Sequence, residues 1–113
     1  MFKERSKVIN SQMKSRIVMK AKLFKVSGEI DEVEPKNKRD FKIDELQGFV
    51  EGYIEIVHLP GNQLMVVNEE GAVNGLKGNL RATLQAQSCG VLGQFACGTV
   101  FGNALICDSS QVK

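Results

Sequence analysis

The fold is decided by the stretch Tyr53-Ile54-Glu55-Ile56-Val57-His58-Leu59, which is followed by Pro60-Gly61-Asn62 and then by Gln63-Leu64-Met65-Val66-Val67. Its first segment is rich in β-branched and aromatic residues, which favour strands. Pro, Gly and Asn favour turns, so the apolar segment after them can return along the first. We therefore predict two antiparallel strands here. A second turn is predicted at Asn68-Glu69-Glu70-Gly71, because glycine stands at its fourth position.

Another hairpin is predicted before this one. Residues 18–27 and residues 29–34 follow the alternation of a half-buried strand. Ser27-Gly28 between them favours a turn. Pro35 ends the second strand, and a polar loop follows it.

Two short helices are predicted between and after the strands. Asp40 is the candidate N-cap of the first, and Gly52 is its candidate C-terminal glycine. Four apolar residues of this helix share one stripe: Ile43, Leu46, Phe49 and Val50. The second helix covers residues 80–86, with Asn79 as its N-cap. Since both helices are short, packing on a sheet has to stabilise them.

The C-terminal third is rich in glycine and apolar residues. A last strand is predicted over residues 99–107, where Gly102 indicates a bulge or a close approach of the backbone. The apolar load of residues 89–107 is large for a small domain. It either forms an interface between copies of the chain or completes the core, and the sequence leaves both interpretations open.

These elements predict an α+β fold, an antiparallel sheet of about five strands with two short helices packed on it. The length of 113 residues fits one domain. We place that domain at residues 19–108, after a basic N-terminal arm (residues 1–18) and before a short tail (residues 109–113). The arm is interpreted either as a solvated, disordered tail or as a segment that follows phosphates. Met13 and Met19 are alternative start residues, and with either of them much of the arm is absent from the native protein.

Composition argues against membrane and metal-binding classes. The sequence has no apolar run close to the roughly 20 residues that cross a bilayer, and residues 1–7 lack the apolar stretch of a secretory signal. We therefore expect a cytoplasmic protein without a membrane partner. The three cysteines, Cys89, Cys97 and Cys107, show no CxxC spacing, and His58 is the single histidine. No metal site is expected, and the cysteines are interpreted as free thiols in apolar surroundings.

Nothing in the sequence favours catalysis. His58 lies in the middle of a predicted strand without a partner that would orient it as a base, so it is interpreted as a sheet-face residue. The glycine-rich stretch matches neither a P-loop nor a dinucleotide-binding fingerprint. We therefore expect no enzyme activity, no catalytic residue and no cofactor.

The candidate binding site is Asn79-Leu80-Arg81-Ala82-Thr83. A helix N-terminus presents unpaired backbone N–H groups and favours anions, and a guanidinium in the first turn adds positive charge there. Asn79, Arg81 and Thr83 are thus predicted to bind phosphate or carboxylate, with Tyr53 or Phe101 stacking on a base or ribose. In the alternative interpretation Asn79 is only a cap, and Arg81 pairs with a carboxylate of Glu69-Glu70.

Four segments carry a family resemblance: residues 52–57, residues 66–71 with Asn-Glu-Glu-Gly, residues 79–83 with Asn-Leu-Arg-Ala-Thr, and Gly102-Asn103-Ala104-Leu105-Ile106. They resemble a family of short phage and conjugative-element proteins of unknown function, over residues 19–108. The resemblance implies a mobile-element origin and an intracellular role. It also implies similarity to Thoeris anti-defence sponges, multimers that sequester cyclic ADP-ribose isomers, although no ligand-contacting residue of theirs is matched here.

The leading hypothesis is therefore a homo-oligomeric sponge that sequesters a phosphorylated small molecule, a nucleotide signal, without turning it over. One alternative is a DNA-associated accessory protein of a mobile element that binds nucleic acid through the N-terminal arm. Another is a protein–protein inhibitor of a host factor.

Overall fold

The computed structural model describes residues 20–112, so the N-terminal arm lies outside the described residues. Within them the strands are β1 (Ala21–Phe24), β2 (Ile30–Val33), β3 (Ile54–Leu59), β4 (Gln63–Asn68) and β5 (Ala104–Asp108). The α-helices are α1 (Ile43–Val50) and α2 (Leu80–Ser88), and short 3-10 turns cover Leu92–Gln94, Ala96–Gly98 and Ser109–Gln111.

The strands form one antiparallel sheet in the order β2-β1-β5-β4-β3. Two hairpins, β1–β2 and β3–β4, flank the C-terminal strand β5, which pairs with β1 on one side and with β4 on the other. The predicted α+β class, with an antiparallel five-stranded sheet and two helices, is confirmed.

Both faces of the sheet are buried, each under one helix. Met65 and Val67 of β4 face the cluster that contains Ala82 and Ala86 of α2. Leu64 and Val66, the alternate residues of the same strand, face the cluster of α1. Since successive side chains of a strand point to opposite faces, the apolar run of β4 is explained by its position in the middle of a three-layer structure.

Helix α1 differs from the prediction at both ends. Its N-cap is Lys42 rather than Asp40, and Glu45 accepts a hydrogen bond from the Lys42 backbone N–H at 2.9 Å. Asp40 instead accepts from the side chain of Asn37 at 2.8 Å. Ile43, placed in the apolar stripe by its spacing, is 56% exposed, because the buried part of the helix begins one turn later at Leu46.

The predicted C-terminal glycine of α1 has another role. The left-handed residue is Glu51, with φ 65°, and Gly52 follows it. A Cβ on Gly52 would lie 2.5 Å from the side-chain nitrogen of Asn68, and that nitrogen donates to the backbone carbonyl of Val50 at 3.0 Å. Gly52 is therefore required by the close approach of Asn68 to the helix end rather than by its own φ.

The last strand is shorter than predicted. Residues 99–103 precede it, and Phe101 forms an isolated antiparallel bridge with Gly78. Gly102 has φ +86°, and a Cβ there would lie 2.8 Å from Leu76 Cδ1, so the predicted close approach is confirmed. Val100, Leu105 and Ile106 are buried, so apolar residues of this segment contribute to the core.

The C-terminal residues take part in the fold. Residues 109–112, assigned to a tail by the sequence, include the buried side chain of Gln111. Phe41 donates its backbone N–H to the Gln111 carbonyl at 2.8 Å, and Phe41 and Val112 form a parallel bridge. These contacts attach the end of the chain to the layer of α1.

Candidate functional site

The predicted site residue Asn79 connects three parts of the fold. Its Oδ1 accepts from the Ala82 backbone N–H at 3.1 Å, which confirms it as the N-cap of α2. Its Nδ2 donates to the carbonyls of Phe24 at 2.8 Å and Gly102 at 2.9 Å. The residue is 1% exposed. All of these bonds are internal, so in this arrangement Asn79 holds the start of α2 against β1 and the segment that precedes β5.

Thr83 is bonded in the same way. Its hydroxyl donates to the Asn79 carbonyl at 2.7 Å and accepts from the Val100 backbone N–H at 3.0 Å. The hydroxyl therefore ties the first turn of α2 to the segment before β5. In this arrangement a ligand could not use the Thr83 hydroxyl as a donor without replacing the internal bond to Asn79.

An open cleft lies beside this connection, at the end of the sheet where α1 stops and α2 starts. We call it the Lys77 cleft; its volume is about 530 Å³. Its walls are the turn after β1 (Lys25, Val26, Ser27 and Glu29), Glu51, residues 75–77, and Gly102-Asn103. Asn79 donates to the carbonyl of Gly102, which lines the cleft, and to that of Phe24, which precedes Lys25 in its wall. The N-cap of α2 is thus bonded to the walls, although no residue of α2 itself lines the cleft.

Local hydrogen bonds set the shape of the walls. In the turn after β1, the Lys25 backbone N–H donates to the Glu29 carbonyl and the Lys25 carbonyl accepts from the Gly28 backbone N–H, both at 2.9 Å. Gly28 has φ +98°. Asn103 accepts from the Val26 backbone N–H at 3.1 Å and donates to the Phe49 carbonyl at 3.2 Å. The amide of Asn103 thereby joins the end of α1 to the turn on the other side of the cleft.

Charges of both signs line the Lys77 cleft. Lys25 pairs with Asp31 at 2.7 Å, and the hydrogen bond and charge of that carboxylate raise the pKa of Lys25. Lys77 is exposed and forms no ion pair with any residue in the described range 20–112. Glu29 and Glu51 supply carboxylates on the other walls. The cleft therefore offers cationic donors and anionic acceptors to one ligand.

A family model described as "Domain of unknown function (DUF3846)" matches residues 19–111. The chain belongs to the DUF3846 family. The match covers the whole sheet, both α-helices and every wall of the Lys77 cleft. No curated protein and no solved structure shows significant similarity to the chain. The expected membership of a family of unknown function is confirmed.

Arg81 of the DUF3846 domain is exposed, and within residues 20–112 it forms no ion pair. The alternative pairing with Glu69 or Glu70 is therefore not formed. Arg81 is not among the residues that line the Lys77 cleft. It precedes Gln85 by one helical turn, and Gln85 lines a smaller cleft of about 220 Å³ together with Lys20 and Lys22.

The two candidate stacking residues lie elsewhere in the DUF3846 domain. Tyr53 is 69% exposed and borders a cleft of about 300 Å³ with Asn74. Phe101 is half-buried and lines a cleft of only about 80 Å³. Asn68 contributes to both clefts. The five predicted ligand-binding residues are therefore not gathered around one cavity, although ligand binding by each stays a prediction.

The sequence did not single out Lys25 or Lys77, and Asn103 entered only as part of a segment that carries the family resemblance, without a predicted role. Their loops match no binding motif, and the one local signal is that Lys77 stands in a loop between Gly75 and Gly78. Four segments far apart along the chain build the cleft, so its composition becomes visible only when the sheet is assembled.

Cysteine, metal and membrane features were also predicted. The cysteines are free, but only Cys107 is buried; Cys97 is exposed, so the expectation of apolar surroundings for all three is wrong. His58 is exposed on β3. Across residues 20–112 no three His, Cys, Asp or Glu side chains are grouped for a metal ion. In the same range no helix has the length and apolarity needed to cross a membrane.

Proposed function

We propose that this DUF3846 domain is a non-catalytic binding protein for a phosphorylated small molecule, which it holds in the Lys77 cleft. The observation that carries the proposal is the placement of Lys77, a cation without an ion pair in the described residues, in a cleft of about 530 Å³ beside the start of α2. Small-ligand sites have volumes of about 300–1,000 Å³. The ammonium group of a lysine is a common phosphate-binding group in proteins.

The acidic side chains in the same cleft favour a nucleotide as the ligand over a simple anion. Glu29 and Glu51 would repel a bare polyanion, but a carboxylate accepts hydrogen bonds from ribose hydroxyls and base amino groups. A ligand that carries phosphate at one end and hydroxyl or amino donors at the other uses both kinds of wall. A ribose phosphate of the cyclic ADP-ribose type meets this requirement.

The biological role that we propose is counter-defence by sequestration. A phage or mobile-element protein that binds a cyclic nucleotide immune signal without altering it would lower the free concentration of that signal. This role is supported by the resemblance to short phage and conjugative-element proteins. A homo-oligomer is part of the proposal, and the support is the exposed apolar outer face of α2, where Leu80 is 71% and Leu84 is 52% exposed.

The nucleic-acid hypothesis depends on residues 1–18, which lie outside the described residues, and it stays a prediction. It would be recognised by binding that weakens steeply with salt and that disappears when residues 1–18 are deleted. Ligand binding in the Lys77 cleft would survive the same deletion.

The decisive experiment is a thermal-shift and native mass spectrometry series with cyclic ADP-ribose isomers, linear ADP-ribose and pyrophosphate. One nucleotide is expected to raise the melting temperature and to be released unchanged on denaturation. Lys77→Ala is expected to abolish the shift, whereas Lys36→Ala, which removes an exposed lysine outside this cleft, is expected to preserve it.

Three results would count against parts of this proposal. Loss of binding in Arg81→Ala but not in Lys77→Ala would move the site to the flank of α2. A chemically altered ligand would identify an enzyme. The absence of any shift across the series would remove the small-molecule function.

A further inference from the structure

Another concave surface lies between α1 and the C-terminal end of the edge strand β2. We call it the acidic groove; its volume is about 590 Å³. Its apolar floor consists of Val33 and Phe49, which are half-buried and pack against the cluster beneath α1. Gly48 of α1 also lines it, and a Cβ there would meet no atom within 4 Å. The groove can therefore accept further apolar side chains without displacing those of the domain.

The rim of the acidic groove is negatively charged. Its charged residues are three carboxylates, from Glu34, Asp44 and Glu45, and one ammonium group, from Lys36. Glu34 pairs with Lys38, and Glu45 accepts backbone bonds from Lys36 and Lys42. Asp44 is exposed and has no ion pair within residues 20–112. An apolar floor under an acidic rim fits a segment that combines basic and apolar residues.

The chain itself contains such a segment. Residues 1–18 hold five basic side chains (Lys3, Arg5, Lys7, Lys14 and Arg16) and a single acid, Glu4. They also contain apolar residues: Phe2, Val8, Ile9, Met13, Ile17 and Val18. Residues 19–113 have ten basic and twelve acidic side chains. The two parts of the chain therefore have opposite net charge.

The point of attachment brings this segment to the groove. Ala21, the first residue of β1, is the cross-strand partner of Val33 on the groove floor. Cross-strand partners have Cα atoms about 4.5–5.5 Å apart. The segment before β1 consequently starts beside the groove, and such a tether gives an effective concentration in the millimolar range. Weak contacts are sufficient for binding at that concentration.

We propose that residues 1–18 bind the acidic groove of their own chain. Basic side chains of the segment lie against Asp44, the rim carboxylate that has no ion pair within residues 20–112, and its apolar residues cover Val33 and Phe49. This contact also covers the open edge of β2, the first strand in the sheet order. A free strand edge is prone to pairing with another chain, and covering it prevents that.

Carbodiimide cross-linking of the full chain tests the proposal, because it joins lysine amines directly to carboxylates in contact with them. Lys3, Lys7 or Lys14 is expected to be linked to Asp44, as located by mass spectrometry. Glu69 and Glu70 are the control carboxylates, since both are exposed and lie outside the groove. Equal linkage to the control carboxylates, or no linkage to the groove, would overturn the proposal.

A blocking variant and a labelled mixture complete the test. Gly48→Arg places a cation in the groove, and its Cβ would meet no atom within 4 Å, so the groove cross-links are expected to be lost while the fold is kept. Gly93→Arg is the matched control, because its Cβ position is equally open, and it is expected to retain the groove cross-links.

A mixture of ¹⁴N- and ¹⁵N-labelled chains distinguishes contacts within one chain from contacts between chains. The cross-links are expected within single copies. Cross-links found only between copies would contradict binding within one chain.

Discussion

At the scale of single residues, Asn79 shows how one amide can organise a small domain. It caps α2 and bonds to carbonyls of two other segments, Phe24 and Gly102. We expect Asn79→Ala to lower the free energy of unfolding by about 3 kcal/mol, since it removes the cap and leaves buried carbonyls without donors. Urea unfolding followed by circular dichroism measures this loss.

The control for this prediction is Asn74→Ala, which changes an exposed asparagine in the loop after β4. Its effect is expected to stay within about 0.5 kcal/mol. If Asn79→Ala were as mild as this control, the bonds of the Asn79 side chain would not be stabilising the domain in solution.

The buried thiol of Cys107 is expected to make the free energy of unfolding depend on pH. Burial, with a smaller contribution from the Asp108 charge, raises the pKa of its thiol from 9.0 to about 11. Between these values the unfolded chain releases the proton and the folded chain keeps it, so the free energy of unfolding is expected to fall as the pH rises from 9 to 11. Below pH 9 the thiol contributes no slope, because it is protonated in both states.

The measurement for Cys107 is urea unfolding at several alkaline pH values, in the parent chain and in Cys107→Ala. Other groups also titrate in this range, so the informative quantity is the difference between the two slopes. The parent is expected to lose stability more steeply with pH than Cys107→Ala. Identical slopes would show that the Cys107 thiol has the same pKa in the folded and unfolded chains.

At the scale of elements, α1 contains a glycine that the domain itself does not require. Gly48 lies inside an eight-residue helix, and a Cβ there would touch nothing within 4 Å. Gly48→Ala is therefore expected to raise the free energy of unfolding by about 0.5–1 kcal/mol, through lower backbone entropy of the unfolded chain. Thermal or urea unfolding can measure the gain.

Gly52→Ala, four residues later, is the opposite case in the same experiment. Its new Cβ would lie 2.5 Å from the side-chain nitrogen of Asn68, which is buried and bonded to Val50. A loss of about 1–3 kcal/mol is expected because this side chain has to move. If both substitutions changed stability in the same direction, the described packing at the end of α1 would be incorrect.

At the scale of the whole molecule, both sheet faces are covered, and an exposed apolar surface remains on the outside of α2. Leu80 and Leu84 lie one turn apart on that surface. We expect the parent chain to associate and Leu84→Glu to be a folded monomer, because the substituted side chain is outside the core. Sedimentation velocity over a concentration series measures the mass.

Val73→Glu provides the comparison, since Val73 is an exposed apolar residue in a loop rather than on α2. It is expected to leave the association unchanged. A parent chain that is monomeric at every concentration would contradict self-association, whereas equal dissociation by both variants would show that α2 is not the specific surface.

Much of the fold was predictable from local patterns. The alternation and turn residues of the two hairpins predicted their pairing, and the Asn79 side chain predicted the start of α2. The start of α1 was not predicted, since Asp40 and Lys42 are close in sequence and only the bond from Lys42 to Glu45 decides between them. The exposure of Ile43 depends on where the sheet ends beneath the helix.

Taken alone, the sequence determined the order and type of the elements, because hydrophobic period, turn residues and caps act within a few residues of one another. The tertiary structure decided where the polar groups converge. Asn103 bonds to Val26, 77 residues away, and Asn79 bonds to Phe24, 55 residues away. No local pattern encodes such distant partners, so the Lys77 cleft and the acidic groove exist only once the strands have paired and the helices have packed on opposite faces.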